Sequence, residues 1–127
     1  MRGSTSDLPA QVDAPGVTIR EAEWGEMNVS LEAFAKGLDS APLFVGLPDD
    51  RCQCPHWGYV IKGRVRFVYK DHEETVSAGD AYYLPPGHTA VFEEDTELME
   101  ISPKGKYQKT IDVAARNFAA MMAQTTA

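Results

Sequence analysis

The sequence predicts an all-β barrel or sandwich that is followed by one C-terminal α-helix. Short segments rich in apolar and β-branched residues follow one another from residue 17 to residue 101. Turn residues separate them roughly every 8–12 positions, which is typical of all-β domains. After residue 106 the apolar residues recur at helical spacing instead. The length of 127 residues fits a single domain with one core.

The predicted elements follow from this periodicity and from the turns between them. The predicted strands cover residues 17–24, 27–31, 57–61, 64–69, 74–76, 81–84, 89–92 and 96–101. Lys62-Gly63 forms a tight turn between two of these strands, and Pro85-Pro86-Gly87 ends another. Residues 38–51 contain two prolines and are predicted to form a short strand or a packed loop.

Three regions are expected along the chain. Residues 1–15 lack periodicity and are predicted to be a flexible tail, and residues 16–106 are predicted to form the barrel. Residues 107–124 carry an apolar stripe that includes Tyr107, Ile111, Phe118 and Met121. This stripe predicts a helix that packs on the barrel or on a partner subunit.

Charge and hydropathy exclude several classes of protein. The net charge of -7 argues against binding to nucleic acid or to an anionic membrane, because both require basic surface. No apolar run approaches the roughly 18 residues of a membrane span, and the N-terminus lacks the apolar segment of a signal peptide. The expected location is the cytoplasm.

The stretch from Cys52 to Gly63 carries the residues most suited to chemistry. Cys52, Cys54 and His56 alternate, so their side chains share one face if the segment is extended. A disulfide between Cys52 and Cys54 is geometrically poor, and two free thiols suit a reducing compartment. Thiols and imidazole at the same parity indicate metal binding, whereas two packed cysteines are the structural alternative.

Two motifs resemble those of small single-domain cupins, over less than half of the chain. The segment from Gly79 to Ala90 has the glycine, proline and glycine of the family's second motif at matching spacing, and Tyr59-Val60-Ile61-Lys62-Gly63 matches the end of the first motif. Residues 64–78 form a short spacer that is typical of small cupins. The resemblance implies a cupin barrel, also called a double-stranded β-helix or jelly roll.

The metal positions of the resemblance are occupied by non-standard residues. The family places a glutamate where this chain has His56, and histidines where it has Asp50, Cys52 and Ala90. His88 lies two residues before Ala90 and therefore has the same strand parity. The usual set of three histidines and one glutamate for iron or manganese is thus absent from the sequence.

The remaining donors predict a metal site of Cys52, Cys54, His56 and His88. Two thiolates and two imidazoles favour zinc, with iron, manganese or nickel as alternatives. Four protein ligands would make a closed structural site, whereas three would leave one position for water or a ligand. Asp50 is a further candidate ligand, and a solvated turn is the alternative for it.

Other residues are predicted to line the pocket of the barrel. Phe92 shares the parity of His88, and we expect Phe92, Ala90 and Val60 to face the pocket. Glu100 is a candidate general acid or base, and an outward surface glutamate is the alternative. Tyr82 is a candidate for contacting a ligand through its hydroxyl, and core packing with a satisfied hydroxyl is the alternative.

The sequence leaves several functional classes open and does not decide whether the protein is an enzyme. One is a metal-dependent cupin that catalyses non-redox isomerisation, cyclisation or lyase chemistry on a small organic acid. The others are a noncatalytic ligand-binding or sensor cupin, an accessory protein with structural zinc, and a dioxygenase-like iron cupin. The resemblance also implies a homodimer, often through exchange or packing of N-terminal strands, a role that the predicted strands over residues 17–31 would suit. Trp57 and Tyr59 are expected to face the outer sheet or a dimer partner.

Overall fold

The computed structural model describes residues 1–125, within which nine β-strands form two antiparallel sheets and one α-helix follows them. The elements are β1 (Ala10–Ala14), β2 (Val17–Trp24), β3 (Met27–Phe34), β4 (His56–Lys62), β5 (Arg64–Val68), β6 (Glu73–Ser77), β7 (Ala81–Leu84), β8 (Thr89–Phe92), β9 (Thr96–Pro103) and α1 (Lys104–Thr125). The large sheet has the order β1-β2-β3-β9-β4-β7, and the small sheet has the order β6-β5-β8. The predicted all-β fold with a C-terminal helix is confirmed.

The core joins the two sheets through the inward side chains of alternate strand positions. Its buried residues from both sheets include Val60, Leu84, Leu98, Val65, Phe67, Val76 and Phe92. Phe34 of β3 stacks on Phe92 of β8 with ring centroids 4.2 Å apart, which connects the large sheet to the small one. Burial of each such side chain contributes about 1.5–3 kcal/mol to folding.

The N-terminal segment is more ordered than the tail predicted for residues 1–15. Ala10–Ala14 forms β1 and pairs with β2 at the edge of the large sheet. Arg20 of β2 also donates a hydrogen bond from Nη1 to the carbonyl oxygen of Leu8 at 2.9 Å. Backbone pairing with β2 supplies the order here, since the apolar alternation of β1 is short and two of its three apolar residues are alanines.

Two further elements differ in their bounds from the sequence prediction. The helix α1 begins at Lys104, before the predicted residue 107, because β9 continues to Pro103 and proline favours a helix start. Residues 38–51 contain two short 3-10 turns, at Ala41–Phe44 and Pro48–Asp50, and the first of them packs against α1. Over residues 1–125, no helix has the length and apolarity needed to cross a bilayer.

The polarity of β3 is the reverse of an ordinary half-buried strand. Asn28 and Ser30 are buried on the inner side, whereas Val29 and Leu31 lie on the other face and are only partly buried. Apolar side chains continue across that outer face, where Trp57, Tyr59 and Tyr83 are exposed. The inner face of the large sheet thus presents polar groups to the interior.

Gly58 allows Tyr82 to cross the inner face of the large sheet. A Cβ atom at Gly58 would lie 2.3 Å from Cζ of Tyr82, which is closer than packed atoms can approach. We predict that Gly58→Ala lowers the free energy of unfolding by about 1–3 kcal/mol, because the phenol ring must move. Chemical denaturation measures this loss.

Gly105 provides the matched control for this substitution. It lies in α1, and a Cβ atom added there meets nothing within 4 Å. Gly105→Ala should leave stability unchanged or raise it slightly, because alanine favours a helix. Equal stabilities of the Gly58→Ala and Gly105→Ala variants would show that the space beside Tyr82 is not required.

Candidate metal centre and ligand cavity

Cys52, His56 and His88 bring their donor atoms together in the interior. The Cys52 thiol and one ring nitrogen from each histidine all lie within 4.8 Å of one another. Only 1% of Cys52, 6% of His56 and 4% of His88 is exposed. Metal-ligand side chains this deeply buried and this close together make a candidate metal centre.

These three side chains are positioned by backbone pairing and by the first residue of β4. Cys52 and His88 form an antiparallel bridge, in which the Cys52 amide donates to the His88 carbonyl at 2.9 Å and the Gly87 amide donates to the Cys52 carbonyl at 2.7 Å. Gly87 has a φ of +100°, which glycine adopts without strain. His56 begins β4 and pairs with Leu84 of β7, so it lies beside the turn that carries His88.

Hydrogen bonds orient both imidazole rings towards the cluster. His88 donates from Nδ1 to the Pro85 carbonyl oxygen at 2.9 Å, so its Nε2 is the acceptor nitrogen when the ring is neutral. His56 Nδ1 lies 2.6 Å from Ser102 Oγ, and its Nε2 lies 3.5 Å from Cys52 Sγ. Metal-binding histidines are commonly held in this way by their second nitrogen.

Burial makes the neutral forms of His88 and Cys52 favourable. Burial, with the nearby His56, lowers the pKa of His88 to about 4, so the ring is a neutral potential ligand at physiological pH. Burial also raises the pKa of the Cys52 thiol to about 12. A cation bound here would therefore have to displace the thiol proton of Cys52.

The Cys54 thiol lies outside the three-residue cluster. Its side chain is fully buried, its Sγ lies 3.4 Å from the Pro55 carbonyl oxygen, and burial raises its pKa to about 11. Cys52 and Cys54 would share a face only in an extended strand, but β4 begins at His56 and Cys52 makes an isolated bridge. Asp50 is also separate: it is exposed and accepts a hydrogen bond from the Gly46 amide.

A cavity of about 130 Å³ adjoins the cluster. Its lining is Ile19, Glu32, Phe34, Ser40, Leu43, Phe44, Cys52, His56, Phe67, Leu84, His88, Ala90, Phe92, Leu98, Glu100, Tyr107, Thr110, Ile111 and Ala114. Of the three pocket residues predicted from the sequence, Ala90 and Phe92 lie at the cavity, whereas Val60 is buried in the core and does not line it. The volume suits a small organic ligand, and most of the lining is apolar.

Glu100 points into the interior rather than outward. It alternates along β9 with the buried residues Leu98 and Ser102, and its Oε1 lies 3.7 Å from Nδ1 of His56. Tyr82 donates its hydroxyl proton to Oε2 of Glu100 at 2.7 Å. Tyr82 does not line the cavity. The hydrogen-bond partner of its hydroxyl is the protein side chain of Glu100.

Glu32 is a cavity residue that the sequence reasoning missed. It follows Asn28 and Ser30 at the same parity of β3, and Ser30 donates a hydrogen bond to its Oε2 at 2.5 Å. Burial, with the negative charge of Glu100, raises the pKa of Glu32 well above its ordinary value. Glu32 is the next residue after Asn28 and Ser30 in the polar alternation of β3, and this pattern would have identified it.

Comparisons with known proteins agree with this architecture. Residues 52–101 match the sequence model of the cupin domain. The structure is similar to an RmlC-like cupin from Shewanella frigidimarina, with a TM-score of 0.59 and 17% identity over 80% of this chain and 88% of that chain. It is also similar to KdgF from Halomonas sp., with a TM-score of 0.58 and 23% identity over 79% of this chain and 92% of that chain.

A third similar structure is the polyketide cyclase RemF from Streptomyces resistomycificus. Its TM-score is 0.59 and its identity 19%, over 81% of this chain and 78% of that chain. A comparison with curated proteins gives no significant match. The chain has the cupin fold, and the predicted resemblance to small cupins is confirmed.

The paired carboxyl groups predict an unusual dependence of stability on pH. An acid whose pKa is raised on folding favours the folded state at low pH. This contribution to stability is lost as the pH rises above 4.5, the ordinary pKa of a glutamate side chain. Glutamine cannot ionise, so the Glu32→Gln variant should gain stability relative to the wild type between pH 5 and pH 8, by roughly 1 kcal/mol or more. Denaturation in buffer containing a chelator measures the difference.

Glu97 provides the control for this experiment, because it lies on the same sheet but is exposed. Glu97→Gln should leave the pH dependence of stability unchanged. Parallel pH profiles for wild type and Glu32→Gln would contradict the pairing of Glu32 with Glu100.

Proposed function

We propose that this cupin binds one divalent metal ion through Cys52, His56 and His88, and a small organic ligand in the adjoining cavity. The observation that carries the proposal is the convergence of three buried donor atoms on the wall of that cavity. A metal held there would face the space that the ligand occupies.

The chemistry of the donors favours zinc. Zinc readily binds a set of one thiolate and two imidazoles. Iron, manganese and nickel also bind imidazole and are the alternatives. Three protein ligands leave one position of a tetrahedral site for water or a ligand, and this favours catalysis over a purely structural site. When bound, such an ion polarises a carbonyl group or activates water.

Non-redox catalysis is the activity that the surrounding residues support best. Glu100 lies beside both His56 and the cavity, where its carboxyl group can hold or move a proton of the ligand. Tyr82 orients that carboxyl group through its hydrogen bond. Isomerisation, cyclisation and lyase reactions need such a proton transfer and no oxidant, and one similar structure is a polyketide cyclase.

A noncatalytic ligand-binding or sensor cupin is the second candidate. It is favoured by the side chains of Leu43, Phe44 and Ile111, which add apolar groups to the cavity wall from the first 3-10 turn and from α1. A sensor would bind its ligand without converting it. Incubation of the metal-loaded protein with a bound ligand, followed by mass analysis of the ligand, separates the two candidates.

We further propose a cytoplasmic homodimer. Trp57, Tyr59, Ile61 and Tyr83 are exposed, and the rings of Trp57 and Tyr83 lie 5.2 Å apart. Large aromatic side chains on a sheet face are typical of protein interfaces. The free thiols of Cys52 and Cys54 support a reducing compartment.

The metal site predicts how metal content responds to substitution. Protein made without added metal should contain about one metal ion per chain, and elemental analysis measures this content. Cys52→Ser and His88→Ala should each weaken binding by at least about tenfold, because each removes a ligand. Cys54→Ser is the matched control, since Cys54 is as deeply buried but outside the cluster, and it should retain the metal. Low and equal metal content in all four proteins would contradict the site.

The proposed dimer predicts a change in mass on substitution of Tyr59. Tyr59→Glu should produce monomers at concentrations where the wild type sediments as a dimer, because it places a charge in an apolar contact. Val45→Glu is the control, because Val45 is exposed on a loop and not on the sheet. A monomeric wild type, or a Tyr59→Glu variant that stays dimeric, would refute this interface.

A further inference from the structure

We infer that Ser102, and not Glu100, is the residue that positions His56 at the metal centre. In this arrangement Ser102 accepts the Nδ1 proton of His56, which fixes Nε2 as the nitrogen that binds the metal. Glu100 is then left to act on the ligand in the cavity. This inference rests on the proposed function, because it assigns a positioning residue to the metal site proposed there.

Two side chains approach Nδ1 of His56, at different distances. Ser102 Oγ lies 2.6 Å from this nitrogen, which is within hydrogen-bond distance, whereas Glu100 Oε1 lies 3.7 Å from it. The other carboxyl oxygen of Glu100 already accepts the hydroxyl proton of Tyr82. The nearest acceptor for a proton on Nδ1 is therefore the serine hydroxyl and not the carboxyl group.

The other nitrogen of His56 faces the cluster. Its Nε2 lies 3.5 Å from Sγ of Cys52. A metal ion held by Cys52 would therefore bind His56 through Nε2, and a neutral imidazole that binds through one nitrogen carries its proton on the other. A serine hydroxyl can donate or accept a hydrogen bond. The direction in which Nε2 points makes Ser102 the acceptor here.

Cys54 gives the Ser102 hydroxyl a partner of its own. The side chains of Ser102 and Cys54 are hydrogen-bonded to each other, and both residues are fully buried. When Ser102 accepts from His56, its own hydroxyl proton is directed to the Cys54 sulfur, which is a weak acceptor. The second cysteine thus supports the centre from outside the ligand set. A serine at position 54 keeps an acceptor, which agrees with the metal retention expected of Cys54→Ser.

The zinc affinity of a Ser102→Ala variant tests this role. We expect the substitution to weaken zinc binding by about 10–100-fold, because hydrogen-bond partners of metal-binding histidines typically contribute this much. Competition with a chelator of known affinity measures the dissociation constant. Ser30→Ala is the matched control, because Ser30 is equally buried on the neighbouring strand β3 and its hydroxyl donates to Glu32 instead. This control should leave the affinity unchanged. Equal zinc affinities of wild type and Ser102→Ala would overturn the inference.

Proton–nitrogen correlation NMR of the histidine rings gives a readout that a merely structural role of Ser102 would not change. In the zinc-loaded wild type, the His56 ring proton should lie on Nδ1 and exchange slowly with water, and it should do the same in Glu100→Gln. In Ser102→Ala this proton should exchange faster, because its acceptor is gone. Faster exchange in Glu100→Gln but not in Ser102→Ala would overturn the inference, because it would make Glu100 the acceptor.

The same spectra separate this inference from the proposed function. A wild type that binds no zinc but carries the His56 proton on Nδ1 after chelator treatment contradicts the metal proposal and supports the positioning of His56 by Ser102. A wild type that binds zinc but carries the His56 proton on Nε2 supports the metal proposal and contradicts this positioning.

Discussion

The antiparallel backbone bridge between Cys52 and His88 is the constraint on which the site depends. It joins the irregular segment before β4 to the turn after β7, and thereby places a thiol next to an imidazole. His56 completes the cluster because the first residue of β4 lies beside the same turn. Regular strand alternation produces only part of this arrangement. The candidate metal centre therefore depends on local turn geometry as much as on the sheets.

The inward polarity of the large sheet has consequences on both of its faces. Glu32 of β3 and Glu100 of β9 are directed inward and form the acidic wall of the cavity, and Ser30 donates a hydrogen bond to Glu32. Buried carboxyl groups cost stability unless neighbours satisfy them, and Tyr82 and Ser30 do so here. Val29 and Leu31 of β3 lie on the outer face, where they align across β9 with Trp57 and Tyr59 of β4. The large sheet thus has acidic cavity residues on its inner side and apolar candidate interface residues on its outer side.

The sequence was sufficient for the fold but only partly for the site. Apolar alternation and the turns at Gly63 and Gly87 identified the barrel, because both signals are local. Strand alternation does not apply to Cys54, because the chain is irregular before His56. Glu32 continues the polar alternation of Asn28 and Ser30, but its proximity to Glu100 on β9 is a contact between strands that the sequence does not show. The edge strand β1 gave only a weak signal, because its apolar alternation is short and its order comes from pairing with β2.

Zinc X-ray absorption spectroscopy on the zinc-loaded protein tests the central claim most directly, because it counts sulfur and nitrogen ligands at the metal. A site of Cys52, His56 and His88 predicts one sulfur at about 2.3 Å and two imidazole nitrogens at about 2.0–2.1 Å, with a further light ligand. A shell with two sulfurs would include Cys54 and contradict the three-residue centre. A shell of light atoms alone would contradict any role for Cys52.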